Sequence, residues 1–341
     1  MTMAVESRAD AAAGLDAADR LVLDQAAELL PGAVVVVIGT AELGAAALER
    51  GASVVRVSDD ADATTEPLDS TLFAGATLVL LRLPKSLSAL DGFARLIAAS
   101  TASDVVLVAG GRLKYMTVGM NEVLLRNFGR LDVSLARQKS RVLIAREPLA
   151  VEPPAMERRH DSEVDLWVTA AGGVFAGASV DIGTRAMIAA FERLPDYETA
   201  IDFGSGTGIL AAELKRRRPG ARVIASDVSA AAVESSRGTA AANDLDIDVV
   251  RDDGLSRQPD ASVDLIVLNP PFHAGGALSI DAALAMFGEA RRVLRPGGQL
   301  WTVWNSHLGY TGALVRTVGP TVQVGRNPKF TVTASTRAAQ S

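Results

Sequence analysis

Short apolar runs of strand length alternate along this chain with segments whose apolar positions recur at helical spacing. In the second half, Thr199–Gly204, Arg222–Asp227, Ile247–Arg251, Val263–Leu268 and Leu300–Trp304 read as strands rich in Val, Ile and Leu. Between them Ile209–Arg218 has the 3.6-residue apolar period of a helix, and Ser229–Ala242 is an Ala-rich helix with Ser229 as its N-cap. Ile280–Leu294 reads as a third helix, closed by Pro296, Gly297 and Gly298. Ala313–Val318 lies in a further helix, and two β-rich runs end the chain. The first half repeats the pattern, with strands at Val34–Ile38, Ser53–Val57, Thr77–Leu83 and Val105–Val108. Repeated βα units imply a parallel, doubly wound α/β sheet in each half.

The two halves can be laid side by side. Residues 35–60 parallel 199–228, and LVLLRLPKS (78–86) parallels LIVLNPPFH (265–273). This reads as a duplication in which one copy has lost its chemistry. Glu147–Asp165, which holds Pro148, Pro153 and Pro154, separates a domain at 1–150 from one at 160–341. At 341 residues the chain has the length of two domains. There are no cysteines, which excludes disulfides, thiolate metal sites and a Cys nucleophile. Three histidines leave little for a His-based metal site, so no metal is expected. No apolar run has the length of a membrane span, and the N-terminus lacks a signal-peptide pattern, so the expected home is the cytoplasm.

Net charge is −6, but residues 112–146 carry 8 Lys or Arg against 2 Asp or Glu. A locally basic segment on an acidic chain hints at a polyanion partner. If extended, it would put Arg137, Lys139 and Arg141 on one face as a stripe.

The strongest local signal is Asp202-Phe203-Gly204-Ser205-Gly206-Thr207-Gly208, between a strand and a helix. Glycines allow positive φ and close approach of a ligand to the backbone, and the helix start offers unpaired N–H groups. The spacing is G-x-G-x-G rather than the dinucleotide G-x-G-x-x-G. An acid at Asp202 suits a ligand carrying an ammonium group, such as the methionine part of S-adenosylmethionine. Asp227 ends the next strand, where it can accept from two ribose hydroxyls. The third strand runs into Asp252-Asp253, where a carboxylate can take an adenine amine. Asn269-Pro270-Pro271-Phe272 follows the fourth strand. The Asn269 side-chain oxygen and the Pro270 carbonyl are neutral acceptors that can hold an exocyclic amine and draw its nitrogen toward a tetrahedral shape. The prolines stiffen this loop, and Phe272 offers a face for base stacking. His273 is a further candidate substrate contact.

In these motifs, together with GVFAGASVDIGT (173–184), DVSAAAVESSR (227–237), SIDAA and WNSHLGY, the chain resembles the bacterial ribosomal RNA guanine-N2 methyltransferases. LPKSLSAL (83–90) and HLGY (307–310) lean toward the large-subunit branch. The resemblance implies two tandem Rossmann-like methyltransferase domains of the class I S-adenosylmethionine-dependent fold, the first degenerate and given to RNA recognition. It implies S-adenosylmethionine as cofactor, held by Asp202, Gly204, Ser205, Gly206, Gly208, Asp227, Asp253 and Asn269. It implies Asn269, Pro270, Pro271 and Phe272 as the catalytic motif, and ribosomal RNA or a ribosomal subunit as partner of a monomeric enzyme. Phe175 and Asp181 fold over the cofactor by the same resemblance. Ser205 stands where some members have Cys, and aromatic residues are few.

In the duplicate copy, Gly39 stands for Gly204, Ala41 and Leu43 replace the next two glycines, Arg82 replaces Asn269, and Lys85 replaces Phe272. A cation in place of an acceptor cannot bind an amine in the same way. Two other readings remain at this point. One is a protein-glutamine methyltransferase, against which Phe272 and the βα pattern of residues 34–108 count. The other is a non-catalytic RNA-binding assembly factor, against which the intact motifs count.

Overall fold

In a computed structural model, residues 14–59, 62, 64–171, 178–270 and 277–338 are described. The chain forms two compact units, 1–155 and 156–341.

The first unit has helices α1 (Ala17–Gln25), α2 (Ala41–Glu49), α3 (Leu87–Ser100) and α4 (Val118–Leu125). Its strands are β1 (Val34–Ile38), β2 (Val54–Ser58), β3 (Leu78–Arg82), β4 (Val106–Arg112), β5 (Phe128–Val133) and β6 (Ser140–Pro148), in the order β2-β1-β3-β4-β6-β5. The first four are parallel, and β6 and β5 close one edge antiparallel. Strand alternation divides the core. Val36, Ile38, Val79 and Leu81 pack with Phe73, Leu90 and Ile97 on one face, and Val35, Val37, Leu78 and Leu80 with Leu21, Val22 and Leu43 on the other.

The second unit opens with the hairpin β7 (Glu157–Asp161) and β8 (Leu166–Ala170), then helix α5 (Ile182–Ala189). It continues through β9 (Thr199–Phe203), α6 (Ile209–Arg217), β10 (Arg222–Asp227), α7 (Ala230–Ala242), β11 (Asp248–Arg251), β12 (Val263–Leu268) and α8 (Ala277–Val293). It ends with β13 (Leu294–Asn305), α9 (Thr311–Thr317), β14 (Thr321–Arg326) and β15 (Phe330–Thr336). The sheet order is β11-β10-β9-β12-β13-β15-β14. That is the order of the first unit with one outer strand added, which supports the duplication. Where β11 would have its counterpart, the first unit makes the 3-10 turn Ser70–Phe73.

Most element boundaries follow the apolar pattern, and Ser229 caps α7 by accepting the Ala232 N–H. The main departure is β13, which begins at Leu294 rather than Leu300. Its register against β12 slips between Val263 and Leu265, so Pro296, Gly297 and Gly298 form an irregularity inside the strand instead of ending a helix before it. Trp301 and Trp304 are buried on opposite faces of the sheet, Trp301 against Leu210 and Val267, and Trp304 against Phe287 and Leu268.

Candidate active site

The glycine loop leaves β9 and enters α6 with Gly204, Gly206 and Gly208 at φ of 72°, 54° and 73°. Side chains are strained in that region, which explains the alternation of glycines. The positions differ in surroundings. A Cβ at Gly208 would come within 2.9–3.0 Å of Ser236 on α7, so this glycine is required by packing. Among the described residues, a Cβ at Gly206 would meet nothing within 4 Å, and one at Gly204 only Met286 Cε at 3.5 Å. Among the described residues, the loop is therefore closed against α7 and open at Gly204 and Gly206. Ser205 is buried and its hydroxyl lies 3.0 Å from that of Ser236.

Asp227, at the end of β10, holds this loop. One carboxylate oxygen accepts the Gly206 N–H at 2.9 Å, and the other accepts the Ser229 N–H at 3.0 Å. Asp202 lies beneath the loop at 1% exposure. One of its oxygens accepts the Ala211 N–H of α6 at 2.9 Å, and the other has no donor among the described residues. Burial pushes its carboxyl up to about 7, with the Asp227 charge adding to the effect. Asp252 is buried and accepts from the Ser256 hydroxyl and the Arg257 N–H, whereas Asp253 is exposed.

Asn269 stands just beyond β12. Its amide nitrogen donates to Asp181 Oδ2 at 3.2 Å and to Thr184 Oγ1 at 3.1 Å. Its amide oxygen is buried and has no donor among the described residues. Two acceptors on one side fix which way the amide faces, so the oxygen is the atom left to receive a ligand N–H. Asp181 is the N-cap of α5, with Oδ1 accepting the Gly183 and Thr184 N–H groups. Thr184 Oγ1 donates to Asp181 Oδ2 while accepting from Asn269. Pro270 is buried. Pro271, Phe272, His273 and Phe175 lie outside the described residues.

The first unit repeats this contact with altered charge. Asp16 caps α1, as Asp181 caps α5. Asp16 and Asp181 are 165 residues apart, as are Gly39 and Gly204 (181 against 16, 204 against 39). The same offset pairs Asp19 with Thr184. Arg82, the counterpart of Asn269, donates to both oxygens of Asp19 at 2.9 Å and lies 3.7 Å from Asp16. In both copies the residue at the end of the matching strand, Arg82 closing β3 and Asn269 following β12, binds the N-cap and first turn of the leading helix. A Cβ at Gly39 would come 3.1 Å from the Cγ and Cδ atoms of Arg82, so the arginine stem covers the loop that is open in the other copy. Without glycines at Ala41 and Leu43 the chain enters α2 directly at Ala41.

The basic run departs from the extended stripe. Gln138 and Lys139 have φ of 49° and 59°, and Arg137 and Ser140 form a bridge around them, so the three cations sit around a tight turn rather than along one face. Arg137 pairs with Asp24 at 3.4 Å. Lys139 is exposed, and Arg141 Nε is buried with no partner among the described residues. The cations closing α6 are used locally: Arg216 and Arg217 bind the buried Glu213, and Arg218 binds Asp196. The described residues hold no group of three or more His, Asp or Glu placed for a metal ion, and no described helix is long and apolar enough to cross a membrane.

The part sequence reasoning missed is the work of Asp181 and Thr184. The signal was present in SVDIGT (179–184), since Asp ahead of the apolar run from Ile182 is a preferred N-cap residue. Nothing local shows that the cap also receives Asn269, 88 residues away.

A mostly parallel sheet with this strand order, a glycine loop after its first strand and an acid at the end of its second defines a class I S-adenosylmethionine-dependent methyltransferase. Orphaned acceptors at Asp202 and Asn269, and the open side of the loop at Gly206, fit that cofactor. Residues 165–334 match the methyltransferase small domain, and residues 26–149 match the RLMG N-terminal domain. A ribosomal RNA large subunit methyltransferase G of Shewanella amazonensis is 36% identical over 268 residues, 76% of this chain and 69% of that protein. One of Pseudomonas aeruginosa is 33% identical over 312 residues, 90% and 83% of the two chains. The chain belongs to the ribosomal RNA large subunit methyltransferase G family. Its fold is also that of the T. thermophilus 16S rRNA N2 guanine methyltransferase solved with AdoMet and guanosine, at 21% identity, 92% coverage of each chain and a TM-score of 0.72.

Proposed function

We propose that this chain transfers the methyl group of S-adenosylmethionine to the exocyclic 2-amino group of a guanine in large-subunit ribosomal RNA. The observation that carries the reading is the Asn269 amide, whose nitrogen is occupied by Asp181 and Thr184 and whose buried oxygen is left open. That polarity receives an amine and rejects a carbonyl. The large-subunit substrate is supported by the relatives' names.

When bound, S-adenosylmethionine supplies an electrophilic methyl group on a positively charged sulfur. The chain's own residues prepare the nucleophile. The guanine amine donates one N–H to Asn269 Oδ1 and the other to the Pro270 carbonyl. Its lone pair, otherwise delocalised into the ring, is thereby turned toward the methyl group. With S-adenosylmethionine bound, its methyl group would pass to that nitrogen and the sulfur would keep the electron pair of the broken C–S bond. The alkylated nitrogen is then acidic and releases its extra proton to water, so no general base is needed beforehand. Asp227 takes the ribose hydroxyls, Asp202 the ammonium end, and Asp253 the adenine amine. By the sequence motif, Phe272 is assigned to stack on the guanine, Pro271 to restrict the backbone and His273 to contact the substrate. Asp181 and Thr184 act as positioning residues. Residues 1–150 serve substrate recognition, and the enzyme works as a monomer in the cytoplasm, where its RNA is.

The test uses purified protein, methyl-labelled S-adenosylmethionine and large-subunit RNA lacking the modification, with the labelled nucleoside identified after digestion. N2-methylguanosine is expected. In Asn269→Ala, transfer falls on the order of 100-fold or more, because the lost acceptor acts in the transition state. Near wild-type transfer by that variant refutes the mechanism.

A further inference from the structure

The cations of the basic run fall into two groups. Arg126 is held by Asp91 at 3.3 Å, Arg130 and Arg146 by Asp132 at 3.1 and 3.0 Å, and Arg137 by Asp24 at 3.4 Å. No carboxylate among the described residues pairs with Arg112, Lys114, Lys139 or Arg141. The unpaired cations gather at one end of the first unit's sheet. Arg112 is the last residue of β4 and lies opposite Ser140, while Arg141 lies opposite Gly111. The Leu113 N–H donates to the Lys139 carbonyl at 2.9 Å, which brings the Gln138–Lys139 turn against the end of β4. The loop after β3, which carries Lys85, is joined to β4 by the Leu83 N–H bond to the Gly110 carbonyl at 2.8 Å.

At the centre is Tyr115, in the 3-10 turn Leu113–Tyr115, with 42% of its surface exposed. Lys114 Nζ is 4.5 Å and Lys85 Nζ 4.7 Å from its ring centroid. A hydrogen bond and the charge of Lys114, with the charges of Lys85 and Arg112, hold the Tyr115 phenol below its ordinary value. Leu87 and Val118, the first residues of α3 and α4 after the same loops, are exposed and apolar.

This surface occupies the carboxyl ends of parallel strands, where α/β sheets bind ligands. Lys85 stands where the catalytic copy has Phe272, and the Leu113–Tyr115 turn stands where that copy has Ser306–Leu308. The copy whose own cofactor loop is covered by Arg82 thus keeps an exposed mouth, now cationic and aromatic. We propose that this mouth docks an unpaired stretch of RNA, with Tyr115 stacking on a base and Lys85, Arg112, Lys114 and Lys139 contacting the flanking phosphates. An ammonium over an exposed ring is weakly held, so the two lysines can turn to phosphates and leave the ring face to a base. Alternation of one flat ring with several unpaired cations matches the alternation of base and phosphate along a single strand. The proposal rests on the reading that RNA is the substrate.

The test is a salt titration of labelled oligouridylate binding to the full-length chain by fluorescence anisotropy. Lys85→Gln combined with Lys114→Gln should weaken binding and lower the slope of log affinity against log salt by about 1.4, at about 0.7 per phosphate of a single strand. Tyr115→Ala should weaken binding by about 5- to 150-fold, the value of one stacked base, while Tyr115→Phe keeps the ring and binds as the wild type does. Melting temperature and S-adenosylmethionine affinity should be unchanged in all three. Unchanged affinity and slope in the lysine variant, or equal binding by the Ala and Phe variants, overturns the proposal. Loss of binding to ribosomal particles without any loss for oligouridylate also overturns it, and assigns the surface to a protein partner. A chain that binds oligouridylate through Tyr115 but leaves ribosomal RNA unmethylated refutes the reaction and keeps the surface. Methylation with unaltered KM and unaltered binding in every variant does the reverse.

Discussion

Asp181→Asn changes one atom at the cap of α5 and should reverse the polarity of the active-site amide. In the wild type, turning the Asn269 amide over would lose its bonds to Asp181 and Thr184 and set Oδ1 against the Asp181 carboxylate. A bond to a charged group contributes about 1.5–3 kcal/mol and a neutral one about 1 kcal/mol. The productive orientation is thus favoured on the order of a hundredfold or more. Asn caps helices about as well as Asp. Its Oδ1 would stay on the Gly183 and Thr184 N–H groups, which Asp181 Oδ1 accepts at 2.8 and 3.3 Å. The new amide nitrogen then takes the place of Oδ2 and confronts the Asn269 nitrogen, donor against donor. Asn269 turns over and presents N–H groups to an incoming amine. Single-turnover methyl transfer should fall roughly as far as in Asn269→Ala, on the order of 100-fold. Calorimetric cofactor affinity should hold, and melting temperature should drop only by the small cost of a lost cap charge. Adding Asn269→Asp restores an acceptor facing both the substrate and the new amide, and should recover part of the rate. A rate for Asp181→Asn within a few-fold of wild type refutes the orientation argument. So does a rate loss fully explained by weaker cofactor binding.

The glycine loop separates packing from ligand space. Gly208→Ala adds a clash within 3.0 Å of Ser236 to the left-handed backbone strain and should lower the melting temperature more than Gly206→Ala, which carries the strain but meets no described neighbour and should chiefly weaken cofactor binding, as paired thermal and calorimetric measurements would show. Asp227→Ala removes the acceptor of the Gly206 N–H and of the proposed ribose hydroxyls, so cofactor affinity should weaken by about 1–3 kcal/mol in a titration. Asp202, raised to about 7, binds its proton more tightly folded than unfolded. Its contribution to stability is therefore fully present below an unfolded value of about 3.9, declines as pH rises from about 4 to 7, and should vanish from denaturation profiles of Asp202→Asn. A cationic ligand favours its carboxylate form, so cofactor affinity should rise with pH through about 7 in wild type alone.

Much of the fold was legible because apolar runs bury on both faces of parallel strands and leave near-continuous Val and Ile segments, as in Val34–Ile38 and Val263–Leu268. The glycine loop was legible because its three positive φ angles demand glycine, and the duplication because Arg82 and Asn269 stand at the ends of matching strands. The helix–strand boundary at Leu294 was hidden: Pro296, Gly297 and Gly298 read as a stop, yet β12 pairs on both sides of them. The stripe of Arg137, Lys139 and Arg141 failed because a tight turn with two positive φ angles forms there without a glycine to announce it. The clamp on Asn269 and the platform around Tyr115 join residues far apart in sequence. Only strand order places Asp181 beside Asn269 or Lys85 beside Lys114.

The central claim is that this chain makes N2-methylguanosine in large-subunit ribosomal RNA through Asn269. Nucleoside mass spectrometry of separated large- and small-subunit RNA from a strain lacking the gene tests it most directly. The account predicts that N2-methylguanosine falls in the large-subunit RNA alone and returns with the wild-type gene but not with Asn269→Ala. An unchanged level in large-subunit RNA, or full recovery with Asn269→Ala, would contradict it.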